Sequence, residues 1–470
     1  MRHRENLTFA IELDRGAPRP LQEQLADQLC AAIDAGTLAR HTRMPSTRTL
    51  GTLLRVSRGV TVAAYDLLYG RGYVEGRTGS GTYVAARGVP GPTAGSTSRP
   101  PAGRASGTDD RSDTLIDFTP GLPCAEAFPL TAWRAAGRRA SYHAPPSGPL
   151  PPLGLPQLRQ AITAHLDGTR RTVPAGHEVV VTAGVGHSLR VVLEALGSRC
   201  GSVAVEDPMP PALRRAVDDT AGQVSSLPVD EQGVRLDGVA PDCDVLVLTA
   251  DAQLPLGHVL SATHRRDTVD WAVRTGGHVV EIACDAVPRP DAARLPRLLD
   301  AADGAGMVLV GGFAELLTPA LNLGYAVVPS YLARRLRAHL TDSPEQPSYL
   351  TQLAIAHLLA DGTLTRLMRR LVGLHARKRE LVLAALAPLR GRVELFALDA
   401  VGTVGLRLPD GPDVDTVTTE LAGRGLLVPG LCRYQRVPRP DAALVLGYAH
   451  LPDSTLRAGL ARLVDALGGA

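Results

Sequence analysis

Lysine is all but missing from this sequence. Of its 470 residues only Lys378 is one, and arginine carries nearly all the positive charge. Chemistry that needs a lysine amine, a Schiff base above all, therefore has a single candidate. That candidate lies in a charged stretch that reads as the solvated face of a helix. Arginine in place of lysine, beside abundant Ala, Gly and Pro, is the composition of a GC-rich genome. Cysteines are few, and the six present form no CxxC pair and no metal-ligand spacing. They read as free thiols in a reducing cytoplasm. No run approaches the ~18 apolar residues of a membrane span, and the N-terminus has no apolar core of the signal-peptide kind. The expectation is a cytoplasmic chain with no membrane partner and no metal.

What is present is ordinary globular material, 44% hydrophobic and 21% charged. At ~150 residues per domain the chain has room for two or three. The net charge of +3 is unevenly placed. Residues 1–85 hold 11 arginines against 8 acidic residues, a bias that suits a phosphate-binding module. Residues 87–114 are rich in Pro, Gly, Ser and Thr and nearly free of large apolar side chains, so they read as a linker. The expected division is 1–86, a linker over 87–114, and a large module over 115–470 whose smaller subdomain begins near 370.

In the first module Leu21, Leu25, Leu29 and Ile33 repeat every fourth residue after Pro20, which predicts an amphipathic helix ended by Gly36. Ser46 is placed to cap a second helix and Ser57 a third. Residues 73–75 and 82–84, separated by Gly79-Ser80-Gly81, read as a hairpin. Three helices and a hairpin make a winged helix-turn-helix. A third helix of this kind can enter the major groove by its N-terminus, with Arg58 at a guanine or a phosphate and Arg48 on the backbone. The small residues of the wing, from Arg77 to Thr82, suit the minor groove. The pattern alone suits a protein–protein module equally well.

These residues resemble the GntR family of bacterial regulators. The resemblance rests on Pro45, Ser46 and Arg48; on Val56, Ser57 and Arg58; on Ala64 and Tyr65; and on the wing from Gly79 to Thr82. It implies double-stranded DNA as partner, with contacts from Ser46, Arg48, Ser57, Arg58, Gly59, Thr61, Arg77, Ser80, Gly81 and Thr82. The family commonly has threonine-valine where this chain has Val60-Thr61, which leaves its base preference open.

The large module alternates apolar β-branched runs (179–182, 203–206, 245–249, 279–282, 307–310, 325–328) with helical stretches, the pattern of a mostly parallel sheet covered on both faces. A long helix over 371–389, alternating runs at 393–398 and 403–408, and a last helix over 456–467 read as a smaller α+β domain. The fold class is thus α/β and α+β. From about Asp117 onward the chain resembles fold-type I aminotransferases, as joined to a GntR domain in the MocR branch. The resemblance rests on Gly121-Leu122-Pro123, Phe128-Pro129-Leu130, Glu206-Asp207-Pro208, Gln253, Pro255, Gly257, Phe313, Pro319 and Leu323-Gly324-Tyr325. It implies a head-to-tail homodimer that sets two winged helices on two half-sites.

The residues that such a fold uses to hold pyridoxal phosphate are replaced. Where the resemblance places serine-lysine stand Ala314 and Glu315, and where it places the phosphate-binding arginine stands Asn322. The segment that should read glutamate-aspartate-aspartate-tyrosine is Glu281-Ile282-Ala283-Cys284. The phosphate cup is Ala183-Gly184-Val185, the stacking aromatic is Pro210, and the histidine ahead of Gln253 is Ala252. The expectation is no aldimine and no cofactor. What remains is a pocket formed by His187, Asp251, Gln253, Ile282, Cys284, Glu315 and Asn322, open to a non-phosphorylated small molecule. Glu315 reads as a general base, a cation-binding carboxylate, or a residue that drifted. Cys284 reads as a redox sensor or a buried small hydrophobe. The expected function is that of a DNA-binding transcriptional regulator with a pseudoenzyme domain. The alternative is an enzyme that uses Glu315, Asp251, Asp285 and His187 without the cofactor, although these show no nucleophile–base–orienter spacing.

Overall fold

The computed structural model describes residues 11–16, 19–39, 41–70, 73–77, 81–84, 115–168, 172–197, 201–283, 295, 297–301, 306–343, 345–398, 400–409, 413–437 and 443–468. The chain divides into two compact units, Met1–Gly107 and Thr108–Ala470. The segment expected to be a linker lies outside the described residues.

In the first unit α1 spans Leu21–Asp34, α2 Thr47–Leu54 and α3 Arg58–Gly70. The antiparallel strands β1 (Val74–Arg77) and β2 (Gly81–Val84) follow. Ser46 caps α2 by accepting from Thr49 N at 3.1 Å, and Ser57 accepts from Val60 N at 3.4 Å at the start of α3. Leu25, Leu29, Leu50, Ala64, Leu68 and Val84 close the core. This is the winged helix-turn-helix that the periodicity and caps predict.

The second unit opens with β3 (Ile116–Asp117), α4 (Leu130–Ser141) and α5 (Pro156–Gly168). Then come β4 (His177–Thr182), α6 (Val185–Leu196), β5 (Ser202–Asp207), α7 (Pro211–Asp218), β6 (Gln223–Asp230), β7 (Gly233–Val234), β8 (Val245–Leu248), α8 (Ala262–Thr275), β9 (His278–Ile282), β10 (Met307–Gly312) and β11 (Gly324–Pro329). The eight strands form one sheet in the order β4-β11-β10-β9-β8-β5-β6-β7. Strand β11 runs antiparallel between β4 and β10, and β7 antiparallel beside β6; the other pairings are parallel. Alternate side chains feed two cores, one on each face. Val203, Val245, Val280 and Val308 belong to one, Ala204, Leu246, Val279 and Leu309 to the other, which is why these strands read as unbroken apolar runs. Strand β6 escapes that reading because Ser225, Ser226 and Pro228 interrupt it.

The remaining elements are α9 (Ser330–Thr341), α10 (Tyr349–Ala360), α11 (Thr363–Leu386), β12 (Glu394–Phe396), β13 (Thr403–Arg407), α12 (Val414–Gly423), β14 (Leu426–Leu427), β15 (Ala443–Gly447) and α13 (Asp453–Gly468). Strands β12-β13-β15 form an antiparallel sheet, and β14 pairs in parallel with β3. The smaller domain therefore recruits residues 116–117 from the far end of the unit. Phe118 is fully buried there, and an added Cβ on Gly459 would stand 2.7 Å from its ring.

Candidate functional site

The surface of the first unit that the sequence leads one to expect at DNA is built on the α2–α3 turn. Arg55 ends α2 in the left-handed conformation at φ 52°, and its carbonyl accepts from Arg15 Nη2 at 2.7 Å. Tyr65 on α3 donates to the Pro45 carbonyl at 2.7 Å, which fixes the entry to α2. An added Cβ on Gly51 would stand 3.2 Å from Val56 O and 3.7 Å from Thr61, so a small residue here suits the close approach of the turn to α2. Ser46, Arg48, Ser57, Arg58 and Gly59 are all exposed on this frame.

Thr61 does not belong with them. It is fully buried, and its hydroxyl donates to the carbonyls of Thr47 at 2.8 Å and Arg58 at 2.9 Å. It locks α3 to α2 rather than facing a groove. Val62, 37% exposed, takes the outward place one turn after Arg58; the i, i+4 spacing from Arg58 is the signal that finds it. On the wing, Thr82 accepts from Met44 N through its carbonyl at 2.8 Å. Gly81 opens β2, while Ser80 and the side chain of Arg77 lie outside the described residues.

The second unit holds a cavity of about 500 Å³ at the carboxyl ends of the parallel strands. In open α/β sheets this is where ligands bind. Thr249 follows β8, Ile282 ends β9, and Ala314 and Glu315 follow β10 in its wall. Gly184, Val185 and Gly186 bring the first turn of α6 to it. That approach requires glycines beneath, since an added Cβ on Gly312 would sit 2.7 Å from Val185 and one on Gly324 2.6 Å from the Gly184 backbone. Asn322 sits at φ 45° with Oδ1 turned over Gly184. A second, smaller cavity of about 40 Å³ shares Gly121, Leu254 and Glu315 with the first and adds Gln253, His375 and His450.

Of the seven expected pocket residues, His187, Ile282, Glu315 and Asn322 line the large cavity and Gln253 the small one. His187 Nδ1 accepts from Ala183 N at 2.9 Å, which ties its ring to the turn that precedes α6. Burial, then the nearby charge of Arg190, pushes its pKa down. Gln253 is buried, pinning the turn by accepting from Leu256 N at 3.2 Å and donating to Leu254 O at 2.9 Å. Asp251 is not in either wall. It accepts from the buried Arg265 guanidinium at 2.8 Å, because α8 folds back over residues 250–251. Cys284 and Asp285 lie outside the described residues.

Lys378 is not on a solvated face either. It is fully buried on α11, and Nζ donates to the carbonyls of Ala449 at 2.8 Å and Leu451 at 2.7 Å. It lines neither cavity. Two groups that no local pattern announces also stand nearby. Glu206 is buried behind the large cavity and accepts from Thr249 N and Oγ1 at 2.8 and 2.7 Å; burial lifts its pKa to about 8. Tyr434 reaches the cavity wall from the smaller domain, and burial raises it to about 12. Among the described residues no three His, Cys, Asp or Glu are grouped to hold a metal ion. No described helix is long and apolar enough to cross a membrane.

Residues 21–84 match the family profile described as bacterial regulatory proteins, gntR family. The chain is 32% identical over 474 residues to the HTH-type pyridoxine biosynthesis transcriptional regulator PdxR of Corynebacterium glutamicum, covering 97% of this chain and 98% of that protein. It is 29% identical over 471 residues to the probable rhizopine catabolism regulatory protein MocR of Rhizobium meliloti, covering 97% and 95%. Among solved structures, the multiple substrate aminotransferase of Thermococcus profundus matches with a TM-score of 0.68 at 18% identity, over 76% of this chain and 92% of that one. The α-aminoadipate aminotransferase LysN of Thermus thermophilus matches with 0.65 at 23%, over 76% and 93%. At these identities the likeness is one of fold.

Proposed function

The chain belongs to the MocR-type branch of the GntR family of DNA-binding transcriptional regulators, and on that premise we propose that it regulates without pyridoxal phosphate, its aminotransferase-like unit serving as a dimerisation and small-molecule-sensing platform. The observation that carries this reading is the pair Glu315 and Lys378. Glu315, which the resemblance sets at the position of a cofactor lysine, lies in the cavity wall, and the chain's single lysine is tied to two carbonyls elsewhere.

The cavity does not suit the cofactor in other respects. Neither cavity has an arginine or lysine among its described lining residues to balance a doubly charged phosphate. Ile282 and Ala283 supply no carboxylate for a pyridinium nitrogen. No step of a transamination is therefore assigned to this chain, and the pocket is read as a binding site. The exposed Leu130 on α4, Tyr142 just after it and Leu350 on α10 support a dimer interface that involves these helices. In the first unit, DNA contact is assigned to Ser46, Arg48, Ser57, Arg58, Gly59 and the wing, without the Thr61 side chain.

The test is fluorescence anisotropy of the full chain on DNA upstream of its own gene, at fixed salt, with and without pyridoxal phosphate and with host-cell extract. Saturable, competitor-resistant binding that ignores pyridoxal phosphate and shifts with extract supports the reading. A near-visible aldimine band on the purified protein, or an operator affinity that responds to pyridoxal phosphate, would sink it.

A further inference from the structure

Residues 11–16, ahead of α1, are held against that helix by two glutamines. Ile11 and Leu13 pack against the core of the first unit, while Glu12 and Asp14 are exposed, the alternation of an extended chain. Gln28 accepts from Glu12 N at 3.0 Å and donates to Glu12 O at 2.6 Å. Gln24 accepts from Asp14 N at 2.9 Å and donates to Asp14 O at 3.0 Å. Residues four apart share a face of a helix, so the two carboxamides stand in a row and pair with alternate residues as a neighbouring strand would. Asp14 Oδ1 then accepts from Gly16 N at 2.8 Å, a tight turn around Arg15. The clamped segment ends in a long-range contact: Arg15 Nη2 donates to Arg55 O at 2.7 Å.

Arg55 is the left-handed residue that closes α2, at φ 52° and ψ 41°. Around it Val56 N donates to Gly51 O at 3.0 Å, a closure at which glycine is usual because it has no Cβ to strain. An arginine there carries the strain, and its carbonyl takes no part in the closure. The caps of α3 begin two residues on, at Ser57, no more than roughly 7 Å of chain away. On the inner side of this joint the buried Thr61 hydroxyl ties α3 to α2 through the carbonyls of Thr47 and Arg58. Arg15 holds the outer side, from a segment that belongs to neither helix.

We infer that Arg15 is a positioning residue for DNA binding: residues 11–16, clamped by Gln24 and Gln28, brace the left-handed turn at Arg55 and so fix the angle at which α3 meets DNA. The inference rests on the reading of α3 as a recognition helix. Arg58 lies three residues after Arg55, so a rotation of the turn is carried directly to it, and a hydrogen bond to a base edge weakens steeply when displaced. Arg15 acts through the turn and not as a phosphate contact, for a reason of charge. Residues 11–16 hold two acids, Glu12 and Asp14, against one base, Arg15, a net charge of −1, which a phosphate backbone repels.

The experiment is fluorescence anisotropy of the full chain on DNA upstream of its own gene and on scrambled DNA, over a salt series. It compares the wild type, Arg15→Ala, Gln24→Ala, Gln28→Ala and the double variant Arg15→Ala with Gln24→Ala. Thermal melts set a temperature at which every variant is folded. Arg15→Ala is expected to weaken operator binding by about 10-fold, the worth of one hydrogen bond to a charged group, with the slope of log affinity against log salt unchanged. Each glutamine variant weakens it by less. The double variant is no weaker than Arg15→Ala, because the clamp acts only through that guanidinium. Amide exchange over residues 55–60 should quicken in Arg15→Ala without DNA. A slope reduced by about 1 makes Arg15 a phosphate contact and overturns the inference. Operator affinity equal to the wild type in Arg15→Ala, losses that add in full in the double variant, or unchanged exchange over residues 55–60 overturn it as well. A wild type that binds upstream and scrambled DNA alike defeats the recognition-helix reading and the inference with it, whereas the other adverse results arise in the variants and defeat the inference alone.

Discussion

Lys378 Nζ donates to the carbonyl oxygen of Leu451 at 2.7 Å, inside the protein. With Ala449 O at 2.8 Å on the same ammonium, this contact ties α11 to the turn between β15 and α13. Removing it strands the buried carbonyl of Leu451 and the half-buried one of Ala449, and opens a void. Lys378→Ala is expected to lower stability by about 3 kcal/mol, read by urea unfolding of the full chain. A loss within experimental error would mean that the ammonium is solvated.

Arg58 and Arg48 should fail differently on DNA. Arg58→Ala is expected to weaken operator binding by about 1–3 kcal/mol and to relax preference at one base position, as for a base-reading arginine. Arg48→Ala should weaken all sequences alike and reduce the slope of log affinity against log salt by about 1. Anisotropy over a salt series on operator and scrambled DNA reads both. An unchanged affinity for Arg58→Ala removes it from the interface.

Thr61→Val keeps the shape and deletes the bonds to the carbonyls of Thr47 and Arg58. Stability should fall by about 1 kcal/mol, with operator affinity unchanged at temperatures where the variant is folded. The opposite pattern, intact melting with weakened binding, would return the hydroxyl to the groove.

Glu206 ties stability to pH. Its folded pKa, about 8, lies above the ordinary 4.5. The unfolded chain therefore sheds this proton first, and the contribution of Glu206 is full below pH ~4.5 and is lost as pH rises toward 8, at ~1.4 kcal/mol per unit. Glu206→Gln can still accept from Thr249 N and donate to Thr249 Oγ1, mimicking the protonated acid. Its melting temperature should match the wild type near pH 5 and exceed it near pH 8. Parallel pH curves for the two proteins would show that Glu206 is ionised throughout.

On the proposed reading, a lysine placed at position 315 should not by itself confer stable cofactor binding. In Glu315→Lys with added pyridoxal phosphate, any near-visible absorbance is expected to disappear on dialysis, because Asn322 offers the phosphate no charge. A band that persists would show that the cavity still holds the cofactor once lysine returns.

Much of the architecture was legible along the chain. Capping serines at 46 and 57, the four-residue repeat of Leu21 to Ile33 and the apolar β-branched runs are local signals, and local hydrogen bonding and periodicity fixed those helices and strands. So were the identities of Ala314, Glu315 and Asn322, which are read directly from the chain. The antiparallel course of β11 was not, because a strand buried on both faces looks alike in either direction.

Composition and local pattern determined that this chain has one lysine, a winged helix-turn-helix and a covered, mostly parallel sheet. Only the tertiary structure decided where the polar groups went. Lys378, flanked by Arg377 and Arg379, reads as solvated until carbonyls 71 and 73 residues away close over it. Asp251 reads as available until Arg265, on the next helix, takes it. His375 and His450, distant in sequence, meet at one cavity. Local pattern tells which face of a helix is apolar; which donors and acceptors are brought to meet a charge depends on long-range packing, and that is set by the fold as a whole.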